Sequence, residues 1–287
     1  MTVLQGISLG ILQGVAEFLP ISSSGHLKVA QTLFSLDNVP LLYDIMLHLA
    51  TLLAVVLYFR KRIWELLCAF GRLIARRPPK ANIDEDDVLC GTDDRSQKTI
   101  VAIILTTVVT GAVGIFTSKI IPDLSIKFTC AGFIVTAFLL ISSSLVEKRA
   151  SKTESKIATR TAKEGISIYQ ALIIGLMQGA GTLPGISRSG STIAGSQLCG
   201  VNRAAAGEYS FIVSIPAILG AFLLELKDFG EVGETIGAAP VIAGCIAAFG
   251  AGYISLAFLM KIIKKGHLEW FACYLIPLGI LGMIFLH

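Results

Sequence analysis

A carboxylate, three hydroxyls and a histidine stand in an otherwise apolar stretch, Gly10-Ile-Leu-Gln-Gly-Val-Ala-Glu-Phe-Leu-Pro-Ile-Ser-Ser-Ser-Gly-His26. Gln13 and Glu17 are four apart, so a helix carries them on one face. Pro20 ends the regular pattern, and Ser22, Ser23 and Ser24 follow where they can cap a second helix. A helix start offers unpaired N–H groups and a partial positive charge, which makes an anion site; the same residues would also serve as a capped hinge. An ionised carboxylate among apolar residues is costly without a cation, hydrogen bonds or water, so Glu17 reads first as a functional residue and second as a packing one. Gln13 could share a metal ion with it, orient water, or only join helices. His26 fits a general acid or base and fits a satisfied core histidine equally well.

Shifted by 165 residues, the stretch lies on a second one, Gly175-Leu-Met-Gln-Gly-Ala-Gly-Thr-Leu-Pro-Gly-Ile-Ser-Arg-Ser-Gly190. Gly10, Gln13, Gly14, Ile21, Ser22, Ser24 and Gly25 find identical partners without a gap. The differences carry chemistry. Thr182 stands for Glu17 and Arg188 for Ser23, so one copy brings a carboxylate and the other a guanidinium. The fork of Arg188, flanked by the hydroxyls of Ser187, Ser189, Ser191 and Thr192 and by Gly185 and Gly190, suits phosphate oxygens. The alternative is a buried Arg188–Glu17 ion pair with no ligand, a weak stability device. Asp44 and His48 form a further pair four apart, able simply to bond each other, and Glu208 is explained by a helix dipole as readily as by a ligand. No Walker A loop, HExxH helix, GxSxG elbow or DxD pair occurs.

The elements that must position these residues are membrane helices. Hydrophobic residues make up 54% of the 287, charged ones 15%, and mean hydropathy is +0.74. Apolar runs near 41–59, 100–118, 128–146, 209–224, 238–260 and 270–286 predict six spanning helices, with 100–118 and 128–146 forming a tight pair. The first 27 residues hold no Lys or Arg and no cleavage pattern, so the N-terminal stretch is expected to belong to the fold. The net charge of +4 comes from three loops: residues 60–98 hold nine Lys/Arg, 147–165 six and 261–269 three. That pattern places those loops in the cytoplasm and gives no reason to expect a nucleic-acid partner. Within 60–98, Trp64, Leu66, Leu67 and Phe70 suggest a short interfacial helix, and Asp84-Glu-Asp-Asp87 reads as solvated charge. The six cysteines form no CxxC pair and suit buried positions.

With those loops inside, residues 1–35 enter from outside and 166–202 from the cytoplasm, although the two are sequence relatives. The predicted fold class is an all-α integral membrane protein with an inverted-topology repeat, six spanning helices plus two re-entrant helical hairpins. It is one membrane domain: a first repeat 1–147 with the cytoplasmic loop 60–98, a cytoplasmic linker 148–165, and a second repeat 166–287. The duplicated serine tips should meet near mid-membrane.

Gln13-xxx-Glu17-Phe-Leu-Pro-x-Ser-Ser-x-Gly-His26 and Pro184-Gly-x-Ser-Arg-Ser-Gly-x-Thr192 together resemble the undecaprenyl-pyrophosphate phosphatase, or bacitracin-resistance, family. The resemblance extends through Asp44-xxx-His48-Leu-Ala-Thr and the Arg203 to Pro216 region to essentially the whole chain. The family's first polar position is Glu or Gln; here it is Gln13, which leaves Glu17 as the main acid. The resemblance implies a multi-pass enzyme of the bacterial inner membrane that removes the terminal phosphate of undecaprenyl diphosphate, recycles the carrier lipid for envelope synthesis and gives bacitracin resistance. It also implies a divalent cation, Mg²⁺ or Ca²⁺, held by Glu17 and Gln13. Arg188 with Ser22, Ser24, Gly25, Ser189, Gly190 and Thr192 would bind the diphosphate, and His26 would move a proton. A phospho-enzyme on Ser23 or Ser187 and direct attack by water both remain open, with the site opening to the outer side. A polyprenyl diphosphate lipid and the bilayer are the partners, and a homodimer is left open. The rival reading is a secondary transporter or flippase for an anionic polyprenyl lipid, since inverted repeats with broken helices suit transport. Against it, Glu17, His26, Arg188 and the hydroxyls are more than anion binding requires. A scaffold would leave the asymmetry between the copies unexplained.

Overall fold

Thr2 and Ser167, 165 residues apart, open the two halves with the same device. Each side chain accepts from the backbone N–H three residues on, and Gln5 or Gln170 reaches back to the cap, a reciprocal capping box. The computed structural model describes residues 1–36, 39, 41–76, 87–120, 125–150, 161, 165–225 and 237–285. Among them the regular elements are all helices: α1 Val3–Phe18, α2 Ser23–Leu33, α3 Leu41–Tyr58, α4 Arg60–Ile74, α5 Asp93–Ile120, α6 Ile126–Ala150, α7 Ile168–Ala180, α8 Arg188–Leu198, α9 Arg203–Glu225, α10 Ala238–Lys265 and α11 Trp270–Phe285.

Two broken pairs, α1–α2 and α7–α8, hold the motif residues. Ser22 caps α2 by accepting from Gly25 N at 3.4 Å, and Ser187 caps α8 by accepting from Gly190 N at 3.1 Å. Each first helix packs on a long helix of the other half. On α1, Gly6, Gly10 and Gly14 let the backbone meet α10 so closely that a Cβ at Gly10 would lie 2.1 Å from the Gly244 carbonyl oxygen. On α7, the equivalent Gly175 and Gly179 meet Val109 and Val113 of α5, and the Thr106 and Thr110 hydroxyls donate to the Ala171 and Gly175 carbonyls at 3.0 and 3.2 Å. With α4 set aside, α5 and α10 are each the fourth helix of their half, so the pairings α1–α10 and α7–α5 exchange between the halves. Helices α3 and α9 pack together between them, and α6 packs on α11. The tight pair expected of 100–118 and 128–146 is replaced by these contacts, because α5 packs chiefly on α7.

The chain is a multi-pass, all-α membrane protein. Among the described residues α5, α6, α9 and α10 are long and apolar enough to cross a membrane, with mean hydropathy of 2.3, 2.0, 1.6 and 2.0 over their most apolar windows. A fifth span is reached by counting α3 with α4, which meet at an 81° bend. Six were expected. Hydropathy registers the apolar run at 41–59 but not the turn after Tyr58, and α11, the run at 270–286, has 16 described residues with Pro277 inside. The helix expected around Trp64, Leu66, Leu67 and Phe70 is α4, in which Trp64 and Leu67 are 67% and 56% exposed and Leu66 is buried. The acidic run at 84–86, the basic stretch at 77–80 and most of the linker, 151–160 and 162–164, lie outside the described residues.

Candidate active site

The last two turns of α1 carry Gln13 and Glu17 into the interior, where both are buried. Glu17 Oε2 accepts from Ser23 Oγ at 2.6 Å and from Gln13 Nε2 at 3.0 Å. Its Oε1 pairs with the Arg188 guanidinium, 171 positions away at the first residue of α8. The ion pair is largely buried, its Glu17 and Arg188 side chains 5% and 20% exposed. The carboxylate and the guanidinium that distinguish the two copies thus meet directly.

An imidazole completes the cluster. His48 Nδ1, from α3, lies 3.0 Å from Glu17 Oε2 and 2.8 Å from Gln13 Nε2. One ring nitrogen cannot accept from Gln13 and donate to Glu17 at once, so the three groups share one proton arrangement. The Gln13 Oε1 atom is buried with no partner among the described residues. Asp44 does not bond His48; its Oδ1 accepts from Gln31 Nε2 at 2.8 Å.

The serine tips meet as well. Ser189 Oγ donates to the Phe18 carbonyl at 3.3 Å, while Gly25 packs on Gly185 and Gly190 on Pro20. Ser22 holds a positive φ of 71°, an αL-side conformation unusual for serine, and its Oγ lies 3.5 Å from that of the exposed Ser24. Ser187 N donates to Thr136 Oγ1 at 2.9 Å, its Oγ sits 3.3 Å from Ser189 Oγ, and Thr192 bonds back to the Arg188 carbonyl at 2.7 Å. These hydroxyls hold the tip, whereas Ser23 is turned on the carboxylate.

His26 is placed elsewhere. Its Nδ1 lies 2.8 Å from the Ser22 carbonyl, which can only accept, so that nitrogen carries the proton and Nε2 accepts from Tyr274 Oη at 2.8 Å. The ring stacks on Tyr274 and packs against Phe133, and neither nitrogen bonds Glu17 or Arg188.

Beside the ion pair a cleft opens between α3 and α9. Glu17, Arg188 and Ser189 form its charged end, joined by Thr51, Ser210 and Ser214, while Leu52, Val55, Phe211 and Ile218 give apolar walls. Charged, hydroxyl and apolar side chains thus share one narrow cleft.

Residues 6–281 match the bacitracin resistance protein BacA family. The chain belongs to that family. It is 44% identical over 280 residues to an undecaprenyl-diphosphatase of Treponema denticola, covering 98% of this chain and 96% of the relative. It is 38% identical over 273 residues to one of Desulfatibacillum aliphaticivorans, covering 94% of each, and 37% identical over 283 residues to one of Borreliella burgdorferi, covering 99% and 98%. Within this BacA-family chain, His48 is the residue that motif reading paired wrongly. Its four-residue spacing from Asp44 was the signal, but that spacing is silent about the neighbouring helix. Thr51, Ser210 and Ser214 lie in stretches that the resemblance covers, Asp44 to Thr51 and Arg203 to Pro216, but nothing in those stretches assigns them to the cleft.

Proposed function

We infer that the chain hydrolyses undecaprenyl diphosphate to undecaprenyl phosphate and inorganic phosphate, recycling the carrier lipid for cell-envelope synthesis and giving bacitracin resistance. The observation that carries this reading is the Glu17–Arg188 pair, set where two helix starts meet beside an amphipathic cleft. Phosphoanhydride cleavage needs neutralised charge, a positioned nucleophile and a stabilised leaving phosphate. The Arg188 fork and the N–H groups that the caps leave unused, those of Ser23 and Ser24 at the start of α2 and of Arg188 and Ser189 at the start of α8, would take the phosphate oxygens. As the diphosphate engages Arg188, Glu17 loses its counter-charge and gains basicity.

Ser23 then stands 2.6 Å from the carboxylate that can accept its proton. On the serine route its oxygen attacks the terminal phosphorus, the bond to the bridging oxygen breaks, undecaprenyl phosphate leaves, and water later releases phosphate from Ser23. On the direct route water takes the same place beside Glu17. Ser187 is the weaker nucleophile candidate, because its hydroxyl already caps α8. His48 and Gln13 hold the Glu17 carboxylate in place. His26 braces the Ser22 carbonyl, and moving a proton at Nε2 would require it to leave Tyr274.

The residues present fit Mg²⁺ or Ca²⁺ in donor type. The orphaned Gln13 Oε1 and the Glu17 carboxylate are oxygen donors one helical turn apart. No group of three His, Cys, Asp or Glu occurs among the described residues, so further ligands would come from the diphosphate itself. A bound cation would supply charge neutralisation at the phosphates. The repeat relation supports an inverted-topology arrangement, 1–147 against 166–287, with six spans and two re-entrant hairpins in the inner membrane and the site open to the outer side. That architecture also favours transport of the same lipid as a second reading. Phosphate release from a C55 diphosphate by the purified protein, with and without chelator, separates them: a transporter releases none.

A further inference from the structure

Hydroxyls buried in helices normally bond back to a carbonyl one turn earlier. Ser214 does so to Phe211 at 2.7 Å, Ser196 to Thr192 at 2.8 Å and Ser143 to Leu140 at 3.0 Å. Ser210 does not. Its Oγ is buried with no partner among the described residues, yet the residue lines the same cleft as Glu17 and Arg188. A buried donor left without a bond is costly, so this one calls for a partner that no described residue supplies. Ser191 and Gln178 also hold unpartnered buried atoms, but neither lines the cleft.

We propose that Ser210 is a substrate-contacting residue whose hydroxyl donates a hydrogen bond to a phosphate oxygen of the lipid diphosphate held at Arg188. This rests on the diphosphatase reading of the site. Ser210 contributes affinity rather than chemistry, because it touches neither Glu17 nor Ser23 by any hydrogen bond.

Ser210→Ala and Ser210→Thr, compared with the unaltered protein, test it in two measurements. In hydrolysis of undecaprenyl diphosphate, Ser210→Ala raises KM roughly tenfold with kcat little changed, while Ser210→Thr, which keeps the hydroxyl, stays near the unaltered value. In thermal unfolding in detergent, Ser210→Ala without ligand is as stable as the unaltered protein or more so, since no hydrogen bond to a described residue is lost. The stabilisation given by a non-hydrolysable polyprenyl methylenediphosphonate shrinks. Unchanged KM together with full stabilisation by the analogue overturns the proposal. So does a fall in ligand-free stability, which would mark a structural role. If the unaltered protein releases no phosphate, the hydrolytic reading fails, and the analogue's stabilising effect still decides Ser210.

Discussion

Arg188, the first residue of α8, closes on Glu17, in the last turn of α1, so that the one charge unique to each copy of the repeated element neutralises the other inside the protein. A buried pair of this kind is a poor source of stability, but breaking it from one side leaves an uncompensated charge. Glu17→Gln should therefore lower both turnover, by at least about a hundredfold, and thermal stability. Adding Arg188→Met to Glu17→Gln removes the stranded cation. Stability should recover in the double variant while activity stays lost, and recovery of both would show that the pair matters only for packing.

Charge alone should not satisfy the Arg188 position. Lysine presents a compact ammonium on a flexible stem and cannot place two parallel N–H donors on a phosphate. Arg188→Lys should keep most of the stability, because Lys still faces Glu17, and lose at least about tenfold in kcat/KM. Near-normal turnover with C55 diphosphate would count against bidentate recognition.

The meeting of Glu17, Arg188 and the serine tips was legible because its signals are local. Pro20, the serines and the four-residue spacing mark where each helix stops and starts, and the repeat says which two stops belong together. What escaped depends on which face packs against which. From spacing alone Asp44 and His48 could satisfy each other; only the seating of α1 beside α3 turns His48 to Glu17 and leaves Asp44 to Gln31. His26 finds Tyr274, 248 positions away, through the packing of α11, which no pattern near His26 foretells. The bend after Tyr58 escaped for a related reason, since an apolar run carries no record of its direction.

Topology is testable without activity. The Lys/Arg-rich loops predict that residues 60–98 and 147–165 face the cytoplasm and both termini face outward. Ser155→Cys, in a background lacking the exposed Cys273, should resist an impermeant thiol reagent in intact cells and react after permeabilisation. Labelling in intact cells would reverse the orientation.

At the α10–α11 connection, burial pushes the Glu269 carboxyl up, but hydrogen bonds from Lys148 and Ser144 of α6 outweigh it and hold it at about 2 against an ordinary 4.5. His267 Nδ1 lies 3.8 Å away. A depressed carboxylate contributes stability above its unfolded value and loses it as pH falls toward the folded one. The Tm gap between the unaltered protein and Glu269→Gln should therefore be full near about pH 5 and smaller by about pH 3. A gap independent of pH would place the effect in packing rather than charge.

His48 offers the sharpest test of how Glu17 is held. Its Nδ1 lies within hydrogen-bond reach of both the carboxylate and the Gln13 amide, so losing the ring removes one bond from the set that holds the carboxylate. Asparagine can set an amide nitrogen near the place of Nδ1, whereas alanine sets nothing there. His48→Ala should lower kcat/KM by roughly tenfold, the scale of one hydrogen bond to a charged group, and His48→Asn should recover much of it. A cavity left by the ring would lower stability in both variants alike. The ranking Asn above Ala in activity, at similar Tm, is thus what a positioning role requires. Equal activity in the two variants, whether both high or both low, would remove His48 from the account of the carboxylate and leave Ser23 and Arg188 to hold it.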